Sequence, residues 1–154
     1  MREPVYAYIG LGANLGDPRA AVLAAMDAIA DIDGLALTHK SSLYGSAPVD
    51  AGGGDYVNAV VQVHTRLKPH ALLTQLQAIE LGAGRSRSYQ NAPRTLDLDV
   101  LLFDQLVLND ADLVLPHPRM WQRAFVLRPL AEIAPGLVRA AQLQAVAEQA
   151  VWLL

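Results

Sequence analysis

One stretch, Ala92-Pro93-Arg94-Thr95-Leu96-Asp97-Leu98-Asp99-Val100-Leu101-Leu102-Phe103, has the pattern of a β-strand that is entered from a proline. Side chains alternate between the two faces of a strand, so Asp97 and Asp99 share one face. Beyond Asp99 the stretch is wholly apolar, as expected of a strand that enters a covered core. The face opposite the two carboxylates carries Leu96, Leu98 and Val100.

The two carboxylates lie about 7 Å apart along the backbone of such a strand. Two like charges beside a buried run repel each other unless a cation lies between them. Mg²⁺ is a common cation here, because it binds carboxylate oxygens together with the phosphate oxygens of a substrate. A solvated strand face would have the same spacing, and the spacing alone favours that simpler interpretation. The residues around the strand therefore have to decide between the two.

The composition predicts a single globular domain over residues 1–154. The chain is 53% hydrophobic and 18% charged, and its formal net charge is −3. Without a basic excess we expect no nucleic-acid partner and no membrane partner. The sequence has no cysteine, no signal-peptide pattern at its start and no apolar run of membrane-spanning length. These features predict a cytoplasmic protein, which we expect to be a monomer.

Arginine dominates the basic residues. Ten of the twelve basic residues are arginine, and six of the ten fall between positions 85 and 128, around the carboxylate strand. The planar guanidinium suits bidentate binding of phosphate, although a coding bias against lysine would also raise the arginine content. The clustering is therefore better evidence for phosphate binding than the ratio is. The six are Arg85, Arg87, Arg94, Arg119, Arg123 and Arg128.

The periodicity along the chain predicts the order β-α-β-β-α-β. The first helix starts at Asp17-Pro18, because aspartate is a good N-cap and proline suits the first helical position. This order is typical of a ferredoxin-like α+β fold, an antiparallel sheet with both helices on one face. The other face is then open and carries Tyr56, Asn58, Asp97 and Asp99. The other predicted elements are the strands Val5–Leu11, Leu35–Tyr44, Tyr56–Thr65 and Thr95–Phe103 and the helix Pro69–Gly82.

The last third of the chain predicts an extension of this fold. Gln105–Leu108 and Leu113–Leu115 flank the turn Asn109–Asp112, which indicates a hairpin. Leu127–Ile133 is expected to be helical or turn-like. Residues 139–153 have the apolar spacing of a terminal amphipathic helix, to which we assign packing alone.

Two glycine-rich segments adjoin the predicted elements. Gly10–Gly16 has the spacing G-x-G-x-x-x-G, which differs from the dinucleotide-binding fingerprint, so it predicts a tight turn from strand to helix. Gly45–Asp55 contains three consecutive glycines and suits either a binding loop or a tolerated surface insertion. Tyr56 and Asn58 follow it. They suit a pocket for a flat ring, or they are ordinary surface residues.

Carboxylates, arginines and a histidine are typical of a site for phosphoryl transfer. In such sites, metal ions neutralise phosphate oxygens while arginines hold the phosphate chain in line. His117 follows the predicted hairpin, together with Arg119 and Arg123. The sequence has no P-loop lysine and no protein-kinase H-R-D or D-F-G motif. Both of those classes are therefore excluded.

Three motifs occur in order: Arg85-x-Arg87, then P-R-T-L-D-L-D at Pro93–Asp99, then P-H-x-x-M-x-x-R-x-F at Pro116–Phe125. Together they resemble the 6-hydroxymethyl-7,8-dihydropterin pyrophosphokinase family of folate biosynthesis. The similarity extends from Tyr8 to about Leu137 and includes Gly10–Gly16 and Asp55–Ala59.

The resemblance implies a ferredoxin-like fold and an ATP-dependent reaction. The β,γ-pyrophosphoryl group of ATP passes to the hydroxymethyl oxygen of the pterin, and AMP is released. Asp97 and Asp99 are implied to be catalytic and to hold two Mg²⁺ ions, and Arg85 and Arg94 are implied to act catalytically on the transferring group. The residues implied for ATP binding are Gln77, Glu80, Arg85, Arg87, Arg94, Val100, His117, Pro118 and Arg123. Those implied for pterin binding are Ser46, Pro48, Val49, Tyr56, Asn58, Asp97 and Phe125.

The resemblance leaves some details open. Either metal coordination or proton acceptance by Asp97 would activate the attacking hydroxyl, and the sequence does not choose between them. Many relatives have Arg-Trp-Gly where this chain has Gln90-Asn91-Ala92. The chain also departs from some relatives at Asp112 and Pro118. These departures concern the details of ATP binding and loop closure.

A binding module of another class would fit the same predicted sheet. Such a module stacks nucleobases on sheet aromatics, as RNA-recognition domains do, and Tyr6 or Tyr8 with Tyr56 would form the platform. A net charge of −3 and two aspartates on the platform argue against it, because both repel a phosphate backbone.

Overall fold

The computed structural model describes residues 3–48, 54–83 and 96–154. It confirms an α+β fold built on an antiparallel, six-stranded sheet. Two 3₁₀ turns, Met120–Gln122 and Pro135–Leu137, flank the third helix. The strands are β1 Val5–Ala13, β2 Leu35–Lys40, β3 Tyr44–Ser46, β4 Tyr56–Thr65, β5 Asp97–Phe103, β6 Leu108–Asn109, β7 Val114–Leu115 and β8 Val151–Leu153. The helices are α1 Pro18–Ala30, α2 Pro69–Gly82, α3 Ala124–Ile133 and α4 Ala140–Ala145.

The sheet is built around β1 and β4. These two strands pair along their whole length, from Val5 opposite Thr65 to Ala13 opposite Val57. β5 pairs with the other edge of β1. The outer edge of β4 is divided, since its C-terminal part pairs with β2 and its N-terminal part pairs with β3. β8 then pairs with β3, so the spatial order is β5-β1-β4-β3-β8.

One face of the sheet packs against α1 and α2, as the sequence predicted. The Asp17 side chain begins α1 by accepting a hydrogen bond of 3.1 Å from the backbone N–H of Ala20. β4 and α2 have the bounds predicted for them. The buried residues of this core include Ile9, Leu11, Val61, Val63, Leu72, Leu76, Leu98 and Val100.

The second face, predicted to be open, is covered in part by α3. Met120, Leu127 and Leu130 are buried there in a second core with Val60 and Leu101. The apolar side of α3 is buried by packing on the part of this sheet face that carries Val60 and Leu101. The remaining part of this face carries the residues of the candidate site.

A β-bulge at Leu101 lets β5 contribute to both cores. Ile9 pairs with Val100 and Tyr8 pairs with Leu102, so Leu101 is the extra residue on β5. Strict alternation would place Leu102 on the helix-bearing face, whereas Leu101 and Leu102 both pack in the core under α3. Because of the bulge, two consecutive apolar side chains, Leu101 and Leu102, follow the aspartates on the same face of β5.

The single strand predicted over Leu35–Tyr44 is wrong, because the chain forms β2 and β3 with a break at Ser41. The Ser41 backbone N–H donates to the Val60 carbonyl at 2.9 Å. The Ser41 hydroxyl oxygen accepts from the Val60 N–H at 3.0 Å. A serine side chain thus replaces one strand-pairing bond and keeps a buried backbone group satisfied across the break.

The terminal helix predicted over 139–153 is also wrong. Helix α4 ends at Ala145, and Val151–Leu153 forms β8 along β3. Pairing with β8 satisfies the backbone groups at the outer edge of β3. Trp152 lies directly over Gly45, where a Cβ would overlap the indole ring. Local periodicity favoured a helix, and a strand partner far away in sequence overrides it.

The predicted hairpin is confirmed with shorter strands, β6 and β7. The peptide bond between Leu115 and Pro116 is cis. Directly after it, the His117 N–H donates to the Leu101 carbonyl at 2.9 Å, which fixes the histidine segment beside β5. None of the helices in the described part of the chain has the length and apolar character needed to cross a bilayer.

A cluster around Glu132 fastens α3 to β3. The Glu132 carboxylate accepts hydrogen bonds from the Tyr44 hydroxyl at 2.6 Å and from the Ser42 hydroxyl at 2.9 Å. Burial, together with the bond to Glu132, raises the pKa of Tyr44 to about 12. Burial by itself would raise the pKa of Glu132, but the hydrogen bonds from Tyr44 and Ser42 hold it below its ordinary value. The pair therefore prefers an ionised glutamate and a neutral tyrosine.

We expect Tyr44→Phe to lower the free energy of unfolding by about 1 kcal/mol at neutral pH. The pKa of Glu132 is lowered in the folded protein. The contribution of ionised Glu132 to the free energy of unfolding is therefore complete above the ordinary pKa of 4.5, and it is lost as pH falls through the folded-state pKa. The pKa of Tyr44 is raised, so its contribution is present below 10.0 and is lost as pH rises towards about 12. Urea unfolding of the wild-type protein and of Tyr44→Phe, at pH values from below 4.5 to about 12, measures the difference in their free energies of unfolding. A difference that is the same at all pH values would contradict the assignment.

Candidate active site

Three cavities meet around β5, and Asp99 borders all of them. The sheet cavity, about 280 Å³, is lined by residues that include Gly10, Gly12, Ser46, Pro48, Tyr56, Asn58, Asp97, Asp99, Leu101, Arg123 and Phe125. The aspartate cavity, about 400 Å³, is lined by Asp97, Asp99, His117, Pro118, Arg119 and Arg123. The hairpin cavity, about 250 Å³, is lined by residues that include Leu73, Asp99, Val100, Asp112, Leu113, His117 and Pro118. The sheet and aspartate cavities contain the two aspartates of the second sheet face, whereas the hairpin cavity lies beside β5 between α2 and the hairpin.

Two glycines of β1 form the floor of the sheet cavity. Gly10 and Gly12 lie on one face of β1 and pair with the two aspartates of β5. A Cβ at Gly12 would lie 3.3 Å from Asn58 Oδ1, and a Cβ at Gly10 would lie 3.4 Å from the Leu101 side chain. The glycines therefore leave space that any other residue would begin to fill.

Asn58 lies on the β4 side of this floor and is buried, with 3% of its surface exposed. Its amide nitrogen donates to the Ser46 hydroxyl oxygen at 2.7 Å, which fixes the orientation of the amide. Tyr56 lies two residues earlier on the same face of β4. An oriented amide beside an aromatic ring suits the edge and the face of a flat heterocycle.

Arg123 and Phe125 line the sheet cavity from the start of α3. The Arg123 guanidinium carbon is 5.4 Å from the centre of the Phe125 ring, within cation–π range. Tyr56 and Phe125 thus provide two aromatic side chains in one cavity. Because Arg123 also lines the aspartate cavity, it lies where the two cavities meet.

Asp97 and Asp99 share the site face of β5, as predicted from the alternation. Each pairs with a glycine of β1, so no neighbouring side chain of β1 covers the carboxylates. The Asp99 side chain is 46% exposed, so a cation that keeps some of its water can bind there. Two oxygen-donor side chains at the edge of a polar cavity fit Mg²⁺, which prefers hard oxygen ligands.

His117 lies between Asp99 and the arginines of the aspartate cavity. Its Nδ1 accepts a hydrogen bond of 3.1 Å from the backbone N–H of Arg119, so neutral imidazole carries its proton on Nε2. Nε2 lies 3.9 Å from the Asp99 carboxylate. Burial lowers the pKa of His117, Asp99 raises it, and the charges of Arg123 and Arg119 lower it further. The net effect favours the neutral ring.

The hairpin cavity has mainly apolar walls, which come from three elements. Leu73 belongs to α2, Val100 to β5 and Leu113 to the segment between β6 and β7. Pro118, like His117, lines both this cavity and the aspartate cavity. A flat, uncharged group bound here would lie next to the carboxylates. The structure therefore brings Val100, His117 and Pro118 together at one cavity.

Two other predicted residues occupy different surroundings. Glu80 is 5% exposed, and its carboxylate accepts a hydrogen bond of 2.8 Å from the Leu98 backbone N–H. It joins α2 to the carboxylate strand from the helix-bearing face. Gln77 is exposed on α2 and does not line any of the three cavities. Glu80 thus fixes the backbone of β5 from the helix-bearing face and does not line any of the three cavities.

Four predicted residues, Val49, Arg85, Arg87 and Arg94, lie outside the described residues. Several residues that line the site were not predicted, and they include Gly10, Gly12 and Leu101. The sequence analysis interprets Gly10–Gly16 as a turn, and only the sheet register shows that Gly10 and Gly12 pair with the two aspartates. Leu101 shares the face of Asp97 and Asp99 by alternation along β5, so the sequence pattern could have identified it.

The platform required by the RNA-binding alternative does not form. Tyr8 is buried in the core under α3 and accepts a hydrogen bond of 2.7 Å from the Gln62 amide. Tyr6 stacks on His64 with ring centres 4.4 Å apart. Tyr56 lines the sheet cavity instead. The described aromatic residues therefore do not present a continuous stacking surface.

A ferredoxin-like sheet with a carboxylate pair beside ligand-sized cavities defines a class, the small α+β domains that bind small molecules in a site built on the sheet. The family model of 7,8-dihydro-6-hydroxymethylpterin-pyrophosphokinase (HPPK) matches residues 8–135. The 2-amino-4-hydroxy-6-hydroxymethyldihydropteridine pyrophosphokinase of Pseudomonas aeruginosa is 47% identical over 131 residues, 84% of this chain and 81% of that protein. Its namesake from Haemophilus influenzae is 43% identical over 135 residues, 87% of this chain and 84% of that protein. The chain therefore belongs to the HPPK family.

Solved structures agree on the fold. A crystal structure of HPPK-DHPS in complex with substrates has a TM-score of 0.68 and 13% identity, covering 94% of this chain and 43% of that one. Wild-type Plasmodium falciparum HPPK-DHPS with pterin and p-hydroxybenzoate has a TM-score of 0.70 and 13% identity, covering 88% and 40%. At this identity the likeness concerns the fold. This chain spans about two fifths of the length of those HPPK-DHPS chains.

Proposed function

We propose that this chain transfers the β,γ-pyrophosphoryl group of ATP to the hydroxymethyl oxygen of 6-hydroxymethyl-7,8-dihydropterin in folate biosynthesis. Membership of the HPPK family supports the reaction. The observation that carries our assignment of the site is the position of Asp99, which borders all three cavities. A substrate in the sheet cavity and a substrate in the hairpin and aspartate cavities would meet at Asp97 and Asp99.

The sheet cavity is the proposed pterin site. Tyr56 and Phe125 would stack on the ring from two sides, and the Asn58 amide, oriented by Ser46, would hydrogen-bond its edge. Pro48 lines the same cavity. Val49 is proposed as a pterin-binding residue from the family resemblance alone. Asp97, which lines the sheet cavity, is proposed to lie near the hydroxymethyl group of the pterin.

The hairpin and aspartate cavities are the proposed ATP site. Val100 and Pro118 would contact the adenosine part, and His117 and Arg123 would hold the triphosphate. Glu80 would act indirectly, because its hydrogen bond to the Leu98 N–H holds the backbone of β5 between Asp97 and Asp99. The remaining residues are proposed from the resemblance, with Gln77 near ATP, Arg87 on the triphosphate and Arg85 and Arg94 on the transferring group.

Asp97 and Asp99 are the residues proposed to hold Mg²⁺, with two ions bound alongside ATP. The bound metal would neutralise phosphate oxygens and make the β-phosphorus a better electrophile. Asp97 lines both the sheet cavity and the aspartate cavity, so it lies where the attacking hydroxyl would approach the triphosphate. It is a candidate acceptor for the hydroxyl proton. The hydroxyl oxygen forms a bond to the β-phosphorus, the bond from that phosphorus to the α,β-bridging oxygen breaks, and AMP leaves.

We also propose that the chain acts as one domain over residues 1–154, as a monomer in the cytoplasm. The six-stranded sheet joins elements from both ends of the described sequence, which supports a single unit. Size-exclusion chromatography with light scattering tests the monomer.

A product assay tests the reaction. The protein is mixed with ATP, Mg²⁺ and 6-hydroxymethyl-7,8-dihydropterin, and the adenine nucleotides are separated. We expect AMP to form in step with the pterin diphosphate. ADP as the product would contradict the register of the triphosphate, because it indicates transfer of a single phosphoryl group. ATP binding without turnover would contradict the activity itself.

A further inference from the structure

The start of α3 carries two side chains that line the proposed substrate sites. Arg123 precedes the helix and Phe125 is its second residue, with Ala124 between them. The first N–H groups of a helix have no acceptor within the helix. Arg123 occupies the N-cap position, and its side chain makes no capping hydrogen bond. The N–H of Ala124, a residue that is 1% exposed, therefore needs an acceptor from elsewhere.

Gln149 supplies this acceptor from a distant part of the chain. Its Oε1 accepts a hydrogen bond of 2.8 Å from the Ala124 N–H. Its Nε2 donates a hydrogen bond of 2.8 Å to the Gln122 carbonyl. One side-chain amide thus holds the backbone on both sides of Arg123. This arrangement fixes where the helix begins and how Arg123 and Phe125 leave it.

Gln149 lies outside residues 8–135, the part of the chain that the family model matches. It is held between α4 and β8, with its own N–H donating to the Val146 carbonyl at 3.1 Å. β8 is fixed in the sheet by β3, and the Arg128 guanidinium on α3 donates to the Val151 carbonyl at 2.6 Å. The side chain therefore reaches α3 from a supported position.

We propose that Gln149 is a positioning residue, which caps α3 from outside and orients Arg123 and Phe125 towards the two substrates. The inference rests on the proposed function for the roles of those two side chains. Arg123 lines both the sheet cavity and the aspartate cavity, and Phe125 lines the sheet cavity. Loss of the cap should therefore weaken the binding of both substrates, although Gln149 lines none of the three cavities.

Gln149→Met tests the proposal, because methionine has a similar size and forms neither hydrogen bond. Gln144→Met is the matched control, since Gln144 is an exposed glutamine on α4. We expect Gln149→Met to raise the KM for the pterin and for ATP by about three- to tenfold each, with a smaller change in kcat. Gln149→Glu keeps the acceptor for the Ala124 N–H, and a carboxylate is favourable at a helix N-terminus. It should recover part of the loss.

Hydrogen exchange at the Ala124 amide gives a second readout, independent of activity. We expect faster exchange at Ala124 in Gln149→Met and unchanged exchange in the strands β1 and β4. If Gln149→Met matches Gln144→Met in both KM values and in Ala124 exchange, the proposal is wrong. Equal acceleration at Ala124 and throughout the sheet would also overturn it, because that result indicates general destabilisation. Failure of Phe125→Ala to affect pterin binding would instead contradict the proposed function.

Discussion

Replacing Asp97 or Asp99 by alanine should lower turnover by about a thousandfold or more while leaving the fold intact. Both side chains lie on the site face of β5 and are partly exposed, so the change removes little packing. It removes the oxygen ligands proposed to hold Mg²⁺ where the phosphate oxygens and the pterin hydroxyl meet. Initial rates with saturating ATP and pterin, over a wide range of Mg²⁺ concentration, measure the effect.

Two controls separate this loss from general damage. Asp27→Ala removes an exposed carboxylate from α1, on the helix-bearing side of the sheet, and should leave the rate unchanged. Asp97→Asn keeps the shape of the side chain and removes its charge, and it should be almost as inactive as Asp97→Ala. Near-wild-type turnover of either alanine variant with Mg²⁺ would show that the metal assignment is wrong.

Replacing Tyr56 or Phe125 by alanine should raise the KM for the pterin by about 10- to 100-fold. A stacked aromatic contact to a flat base contributes about 1–3 kcal/mol, or about 5- to 150-fold in affinity, and this interval contains the expected range. Tyr56 comes from β4 and Phe125 from α3, so each variant removes one face of the proposed sandwich. We expect the KM for ATP to change less than threefold in Tyr56→Ala, because Tyr56 does not line the aspartate or hairpin cavity.

Tyr6→Ala is the matched control for these aromatic variants. Tyr6 lies on β1, is 49% exposed and stacks on His64 outside the three cavities. It should leave both KM values near those of the wild-type protein. Equal increases in the KM for pterin and for ATP in Tyr56→Ala would argue against the pterin site, because they indicate a general distortion of the sheet.

The sequence predicted the elements whose pattern is local. β4 and α2 have the expected bounds because their periods of two and 3.6 are clear. Asp17 with Pro18 located the start of α1 through capping chemistry. The alternation in β5 placed Asp97 and Asp99 on one face, and the structure agrees.

Features that depend on distant partners could not be predicted in this way. Val151–Leu153 is a strand because the edge of β3 is available to it, and no residue near it in sequence signals that edge. Leu102 packs in the core under α3 because of the bulge at Leu101, which has no signal in the local sequence. The bonds of Gln149 to the start of α3 span 25 and 27 residues.

The candidate site shows the same division. Tyr56 and Asn58 are candidates from the sequence because residue types with clear chemistry follow a glycine-rich loop, and the structure brings them into one cavity. Gly10 and Gly12 contribute by the space they leave, and a missing side chain has no chemical signature in a sequence. Glu80 was placed at the edge of the ATP site, and its bond to the Leu98 N–H depends on how α2 packs on β5.

The position of Asp99 at the junction of all three cavities also has a thermodynamic consequence. A ligand that changes the charge around this carboxylate changes the field experienced by a ligand in either neighbouring cavity. The affinities of the two substrates are then coupled, and linkage requires that each alters the affinity of the other by the same factor. The coupling free energy between ATP and pterin should therefore depend on Asp99, and calorimetry on the Asp99→Asn variant would measure how much of it this one side chain transmits.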